Sequence, residues 1–383
     1  MNIGRHLRRT HGACLLVLLI GAAVVTGQRA PAAQADRMRV VVLVDSSSSM
    51  ASMLIEFRKA LTAFGDSVPA DAELALISTG ELQRGWMEYA FRPTRGTALL
   101  EDLAAGRYPP RLPASLAGRD VIVMAEQGLG DVLFFLRYAA PLAAAGARLY
   151  LGNYDPRLLP LVQRAFPVEP WEEGRAPPLG SLLVWAGDLP TFVRPLVGRD
   201  VLPPLPIEPL PEWREKVRAR LGDDPRPAVG LAWRAGTPPR TGPVGHNVLS
   251  KEISARALGA ALAGLPLRWV VVQRRPKEDE LRELELGLGE RPLDLSSANE
   301  NLEEVLALMA ELDDYAGVSN TNIHLRAGLG SGGRILVPFP PDWRWQVAGE
   351  SVFFDKFTTY REGPAGWDEP LARLRTDLER LAQ

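Results

Sequence analysis

The stretch that most constrains the fold is Val121-Ile122-Val123-Met124 followed by Ala125-Glu126-Gln127-Gly128-Leu129-Gly130-Asp131. The apolar run is bounded by Gly118-Arg119-Asp120 and reads as a strand. Behind the glycines, Val132 to Ala145 is predicted to be a helix, with Leu133, Leu136 and Ala140 at helical spacing. Two glycines two apart let a backbone turn sharply and approach a ligand, because no Cβ stands in the way. The helix start offers unpaired N–H groups and the positive end of the helix dipole. Asp131 sits at that start, either as a cap or as a reactive carboxylate facing a cleft. A lone G-x-G also marks an ordinary tight turn between a strand and a helix.

From Gly118 onward, predicted strands alternate with predicted helices, which implies parallel sheets. Ala147–Leu151, Ser181–Trp185, Ala228–Trp233, Trp269–Gln273, Asp314–Val318 and Arg334–Pro338 read as strands. Pro156–Ala165, Glu212–Leu221, Ser254–Ala263, Lys277–Leu288, Leu302–Ala310 and Trp367–Leu381 read as helices, the last with Leu371, Leu374, Leu378 and Leu381 on one face. Val201–Pro211 carries five prolines and reads as an extended crossing segment between two sheets. The fold class is therefore α/β, with two doubly wound parallel sheets over residues 118–211 and 212–383. Such sheets, facing each other, form a cleft at the carboxyl ends of their strands. The second loop at such an end is Ser319-Asn320-Thr321-Asn322-Ile323-His324, rich in small hydrogen-bonding residues at a helix start. It can wrap a diphosphate with N–H groups and hydroxyls, or simply cap and turn, with His324 as an added donor or a buried structural histidine.

Length and composition agree with this. The 383 residues suit two to three domains, and 46% hydrophobic with 23% charged residues is ordinary for a globular protein. A net charge of −2 argues against a nucleic-acid partner held by a basic field. Residues 1–36 look like a targeting segment, with Arg5, Arg8 and Arg9 ahead of the apolar run Leu15–Val25 and a small-residue Ala33-Gln34-Ala35. It reads as a signal peptide or an uncleaved anchor, so export, inner-membrane anchoring and membrane association through this segment all stand as expectations. The only cysteine, Cys14, lies in it, which leaves the rest without a disulfide or cysteine metal site.

Residues 37–106 form a separate unit, joined by a proline-rich linker over 107–117. Val40–Val44 and Leu74–Ile77 read as strands, with a helix between them carrying Leu54, Phe57, Leu61 and Phe64 on one face. Asp45, Ser47 and Ser49 alternate at a strand end and can surround a hard cation with oxygen ligands, or cap the helix. This D-x-S-x-S segment resembles the metal-binding site of von Willebrand factor A domains and implies Mg²⁺ at Asp45. Thr97 is a weak match for that family's second-loop threonine, and the rest of such a domain is missing.

The larger part of the chain resembles a second family. Ala125 to Asp131 with Arg137-Tyr138, then Gly230-Leu231-Ala232-Trp233, Val271-Val272-Gln273, the Ser319–His324 loop, and Pro338-Phe339-Pro340-Pro341-Asp342-Trp343-Arg344-Trp345 occur in order. Together they are similar to the glycosyltransferase region of bacterial tetratricopeptide-repeat proteins, related to ADP-heptose:lipopolysaccharide heptosyltransferases, over about Leu116 to Gln383. The resemblance implies a GT-B fold, a nucleotide-sugar donor, a glycan or protein acceptor, and transfer that requires no metal or other cofactor. It implies Asp131 as general base and Gly128 and Gly130 as the floor of the cleft. Arg234 and Gly236 would face the donor phosphates, with Gln273 near the nucleotide. Ser319, Thr321 and His324 would hold the diphosphate, and Asp342 and Arg344 would shape the rim. The chain departs from that family at Asn320, where an aspartate is usual, and at Arg326, where a small residue is usual; no tetratricopeptide period precedes Leu116. The donor chemistry implies the cytoplasmic face. The other function class is an exported, metal-dependent adhesion protein of the von Willebrand A type, without enzyme activity.

Overall fold

A computed structural model describes residues 39–42, 73–76, 82–89, 111–172, 174–235, 251–339, 341–346 and 349–381. The leader, the Asp45, Ser47 and Ser49 cluster, Thr97 and Gly236 lie outside them. Strands β1 (Arg39–Val42) and β2 (Glu73–Leu76) pair in parallel, and helix α1 (Leu82–Tyr89) follows. The remainder of the von Willebrand A-type resemblance falls on residues that are not described. Among the described residues no helix is long and apolar enough to cross a membrane.

The first sheet is built from β3 (Asp120–Met124), α2 (Leu129–Leu136), α3 (Ala140–Ala144), β4 (Arg148–Gly152), α4 (Leu159–Ala165), β5 (Glu169–Pro170), β6 (Leu182–Trp185) and α5 (Leu189–Val197). Its strands are all parallel, in the order β5-β4-β3-β6. The single helix expected over Val132 to Ala145 is two helices, because Pro141 has no N–H to give to the carbonyl of Arg137. The chain tightens instead, with Tyr138 N on Phe135 O and Ala139 N on Leu136 O, both at 2.9 Å.

The proline-rich crossing runs over 201–210 without helix or strand. It packs on the far half, where Ile207 N donates to Gly328 O at 3.1 Å. Beyond it come α6 (Pro211–Leu221), β7 (Ala228–Ala232), β8 (Arg234–Ala235), β9 (Lys251–Glu252), α7 (Ala255–Leu262), β10 (Arg268–Val271), α8 (Glu278–Leu288) and β11 (Leu293–Asp294). Then follow α9 (Leu302–Glu311), β12 (Asp314–Val318), α10 (Thr321–Gly328), β13 (Gly333–Val337), β14 (Phe357–Arg361) and α11 (Asp368–Glu379). The second sheet is parallel throughout, in the order β11-β10-β7-β12-β13-β14. Counted from β7, that is 3-2-1-4-5-6, the doubly wound order. Counted from β3, the first sheet is 3-2-1-4, so each sheet reverses direction beside its first strand. Strand β14 was not expected from the sequence. Its Phe-Thr-Thr-Tyr run has the right propensity, but the run is short and follows a Gly- and Ser-containing stretch.

Parallel strands are covered on both faces, so β7 and β12 are buried end to end. Val229 and Leu231 pack with Leu258, Leu284 and Leu374 on one face, while Ala228 and Ala232 face the cluster shared with the first sheet. Helices α7 and α8 touch through glycines. A Cβ on Gly287 would stand 2.5 Å from Arg256 O, and one on Gly259 2.7 Å from Leu284 O. Helix propensity favours alanine over glycine by about 1 kcal/mol; here the sign reverses. Gly287→Ala is expected to cost about 1–3 kcal/mol, read as a lower urea midpoint at unchanged m-value. A raised midpoint would show that the helices do not approach this closely.

Candidate active site

Ligands bind doubly wound sheets where the strand order reverses, outside the carboxyl ends of the strands. In the first sheet that point lies between β3 and β6, where Glu126 Oε1 accepts from Gly187 N at 3.0 Å. In the second it lies between β7 and β12, which ends at Val318 and is followed by Ser319 and Asn320. The two points face each other and touch. A Cβ on Gly130 would come within 2.9 Å of His324 Cδ2 and 3.6 Å of Thr321 Cα. Gly130 is therefore where helix starts from the two halves meet, and His324 covers the position expected to be open cleft floor. Gly128 is the N-cap of α2.

Asp131 is both a cap and an inter-sheet group. Its Oδ2 accepts from Gly128 N at 3.1 Å, satisfying a free donor at the helix start. Its Oδ1 pairs with Arg344 Nη2 across the interface, and the side chain keeps 28% of its surface exposed. Arg344 Nη1 also reaches both oxygens of Asp342 at 3.1 Å, and Asp342 accepts from Lys251 Nζ at 2.6 Å. Asp131, Arg344, Asp342 and Lys251 thus form one chain of alternating charge. Asp342, expected at an open rim, is buried inside it. Burial alone would raise its carboxyl, but Lys251 and Arg344 hold it well below the usual carboxylate range. Burial likewise opposes the charge on Arg344, and Asp342 and Asp131 reverse that, raising it. The guanidinium carbon lies 4.3 Å from the Trp343 ring centre and 5.1 Å from that of Phe134.

His324 is buried at the start of α10, edge-on to Phe354 at 5.4 Å and Phe134 at 6.2 Å between ring centres. Its Nδ1 is buried and meets no hydrogen-bond partner among the described residues. Desolvation first, then the positive charges of Arg344 and Arg137, hold it well below the ordinary histidine value. The ring is neutral at pH 7 and offers a hydrogen bond rather than a charge.

The other expected residues divide into two groups. Ser319, buried, and Thr321, half-buried, lie at the carboxyl end of β12 beside His324. Gln273 is at its strand end, but its Oε1 accepts from Trp233 N at 3.0 Å and Arg234 N at 2.9 Å, and its Nε2 donates to Arg274 O at 3.2 Å. Both ends of the amide are committed to backbone, so it holds the β7 turn rather than standing free for a nucleotide. Arg234 is held by Glu280 at 2.5 and 2.9 Å and by Arg275 O at 2.6 Å. Among the described residues no three His, Cys, Asp or Glu side chains come together to hold a metal.

The two departures from the family pattern have local explanations. Asn320 is the N-cap of α10, its Oδ1 accepting from Asn322 N and its Nδ2 donating to Tyr315 Oη, each at 2.9 Å. Arg326 is buried away from the site. It donates to Gly332 O, to Met309 O at 2.8 Å, and to Leu312 O and Asp313 O at 3.1 Å. Its charge therefore sits at the negative end of α9.

Two site residues escaped the sequence reading. Lys251 opens β9, sixteen residues beyond β8 in the sequence, and nothing local marks it. Arg137 stands in the sequence only as part of the motif that follows Asp131. It is buried, donating to Phe134 O at 3.0 Å and to Leu202 O and Phe353 O at 3.1 Å, and burial pulls its pKa down to about 10. One guanidinium so joins α2, the crossing segment and the loop before β14.

No protein-family model matches the chain, and no curated protein does. Solved structures do. A family 9 glycosyl transferase from Veillonella parvula is 13% identical with a TM-score of 0.44, over 64% of this chain and 87% of that one. The ADP-heptose lipopolysaccharide heptosyltransferase II of E. coli is 13% identical with a TM-score of 0.43, over 69% of this chain and 98% of that one. The Anabaena protein HepE, solved with UDP and glucose, is 14% identical with a TM-score of 0.37, over 68% of this chain and 90% of that one.

A buried neutral histidine must gain its proton on unfolding, so the unfolded state binds more protons below its own pKa near 6.5. Stability contributed by neutral His324 is present above that value and lost as pH falls. Relative to His324→Gln, the protein should lose stability as pH falls from 7 to 5, measured by urea unfolding across that range. Parallel curves for the two proteins would mean that His324 is not held neutral.

Proposed function

We propose that the chain is a GT-B-type glycosyltransferase that moves a sugar from a nucleotide-sugar to a hydroxyl acceptor. The observation that carries this reading is the meeting of two doubly wound switch points, one presenting Asp131 and the other Ser319, Thr321 and His324. A donor diphosphate at the carboxyl ends of β7 and β12 would lie against the α10 start, whose N–H groups favour an anion. An acceptor would approach from the first sheet. Its oxygen bonds to the anomeric carbon, the bond from that carbon to the diphosphate breaks, and the proton passes to Asp131.

Arg344 gives the step its electrostatics. While it pairs with Asp131, one oxygen of that carboxylate is already engaged. A diphosphate arriving between the halves competes for the same guanidinium, which would free Asp131 and at once neutralise charge on the leaving group. Asp342 and Lys251 keep Arg344 oriented during that exchange. The asparagine at position 320 does not oppose the reading, since it still caps the donor-side helix. The adhesion alternative rests on Asp45, Ser47 and Ser49, which lie outside the described residues, and no described residue supports it.

A panel of ADP-, UDP- and GDP-sugars tests the proposal. One class should raise the melting temperature, and Asp131→Asn should keep that shift while reducing turnover by about 10²–10⁴-fold, the usual contribution of a general base. Undiminished turnover in Asp131→Asn would remove the assignment. No stabilisation by any of the panel would remove the donor site.

A further inference from the structure

Helix α1 precedes both sheets in the chain, yet it ends beside the Asp131 turn. Trp86 is buried among rings from both halves. Its ring centre is 6.3, 6.2 and 6.2 Å from those of Phe134, Phe135 and Tyr138 in the first half, and 5.5 and 5.7 Å from those of Trp343 and Phe353 in the second. Its Nε1 donates to Asp200 O at 3.4 Å. Tyr89, one helical turn on, lays its ring 5.5 Å from Phe135 and 5.7 Å from Trp343. Its hydroxyl donates to Gln127 Oε1 at 3.1 Å, within the turn that carries Asp131. The opposite end of this arrangement is the reactive one: Arg344 lies 4.3 Å over the same Trp343 ring and pairs with Asp131.

Aromatic faces backed by an oxygen that accepts from a hydroxyl are the features a sugar or phenolic acceptor would use. Here the chain itself supplies the ring and the hydroxyl. We propose that α1 is an intramolecular occupant of the acceptor side of the Asp131 site, with Tyr89 standing in for an acceptor hydroxyl, and that α1 must withdraw before an external acceptor can reach Asp131. The functional consequence rests on the transferase reading above; the covering of Asp131 does not. Trp86 sets the cost of withdrawal, since leaving exposes a large ring and breaks aromatic contacts to both halves.

The test is carbodiimide-driven coupling of glycine ethyl ester to carboxylates in the full chain, followed at Asp131 by peptide mass spectrometry. Trp86→Ala and Tyr89→Ala should each speed modification of Asp131 about tenfold, while Asp223, on the turn after α6, reacts at an unchanged rate. Tyr89→Ala leaves Trp86 in the core, so it remains informative if Trp86→Ala fails to fold. Equal Asp131 rates in wild type and Tyr89→Ala would overturn the proposal. Faster labelling without consumption of any nucleotide-sugar would uphold the covering helix and remove the transferase reading, so the two can fail separately.

Discussion

One guanidinium holds the two halves of this protein in register. Arg344 is buried with 6% of its side chain exposed, and it is shared by Asp131 from the first half and Asp342 from the second. A charge taken out of water is tolerated only if it is paired and its remaining donors are met. Here the pairing is itself inter-sheet. With Lys251 completing the chain, two cations and two carboxylates cancel, and the low dielectric that would penalise a lone charge strengthens each contact. Separating the halves would return Asp131 to water and leave Arg344 with Asp342 as its carboxylate partner. The same group that closes the interface is therefore the one with most to gain from a new anion inside it.

Around this chain the interface is apolar and aromatic rather than an open channel. Phe134, Phe135, Trp343, Phe353, Phe354 and Trp86 fill the space between the sheets, and Arg137 ties the backbones of Phe134, Leu202 and Phe353 together. Gly130 is needed because His324 lies where its side chain would be. The structure accordingly describes a closed arrangement in which the groups proposed for chemistry satisfy one another. His324 Nδ1, Arg344 Nε and Trp345 Nε1 are buried at this interface without partners among the described residues, as are Ser181 Oγ and Trp233 Nε1 at the sheets.

Much of the architecture was legible in the sequence because the signals are local. Alternating apolar runs and amphipathic helices, with prolines between them, announce parallel sheets and a crossing. The glycine turn at Gly128 and Gly130 and the Asn320 cap are short-range devices that the residues dictate. Where reading failed, the cause was also physical. Pro141 split a helix whose apolar spacing ran straight through it, and β14 is a short run whose strand propensity does not stand out from the Gly- and Ser-containing stretch before it. For Gln273 and Asp342 the partners were not readable: an amide turned onto Trp233 and Arg234, and a carboxylate buried against Lys251.

By itself, then, the amino-acid sequence determined which segments become strands and helices, and that Asp131 and His324 each begin a helix after a buried strand. Those follow from periodicity, glycine freedom and capping, which act over a few residues. Only the tertiary structure decided that Asp131 meets Arg344, that Arg326 serves the end of α9 instead of the site, and that α1 lies over the first-sheet turn. Those contacts join residues far apart in sequence, and their energy comes from burial and charge pairing that do not exist until the two sheets have closed on each other.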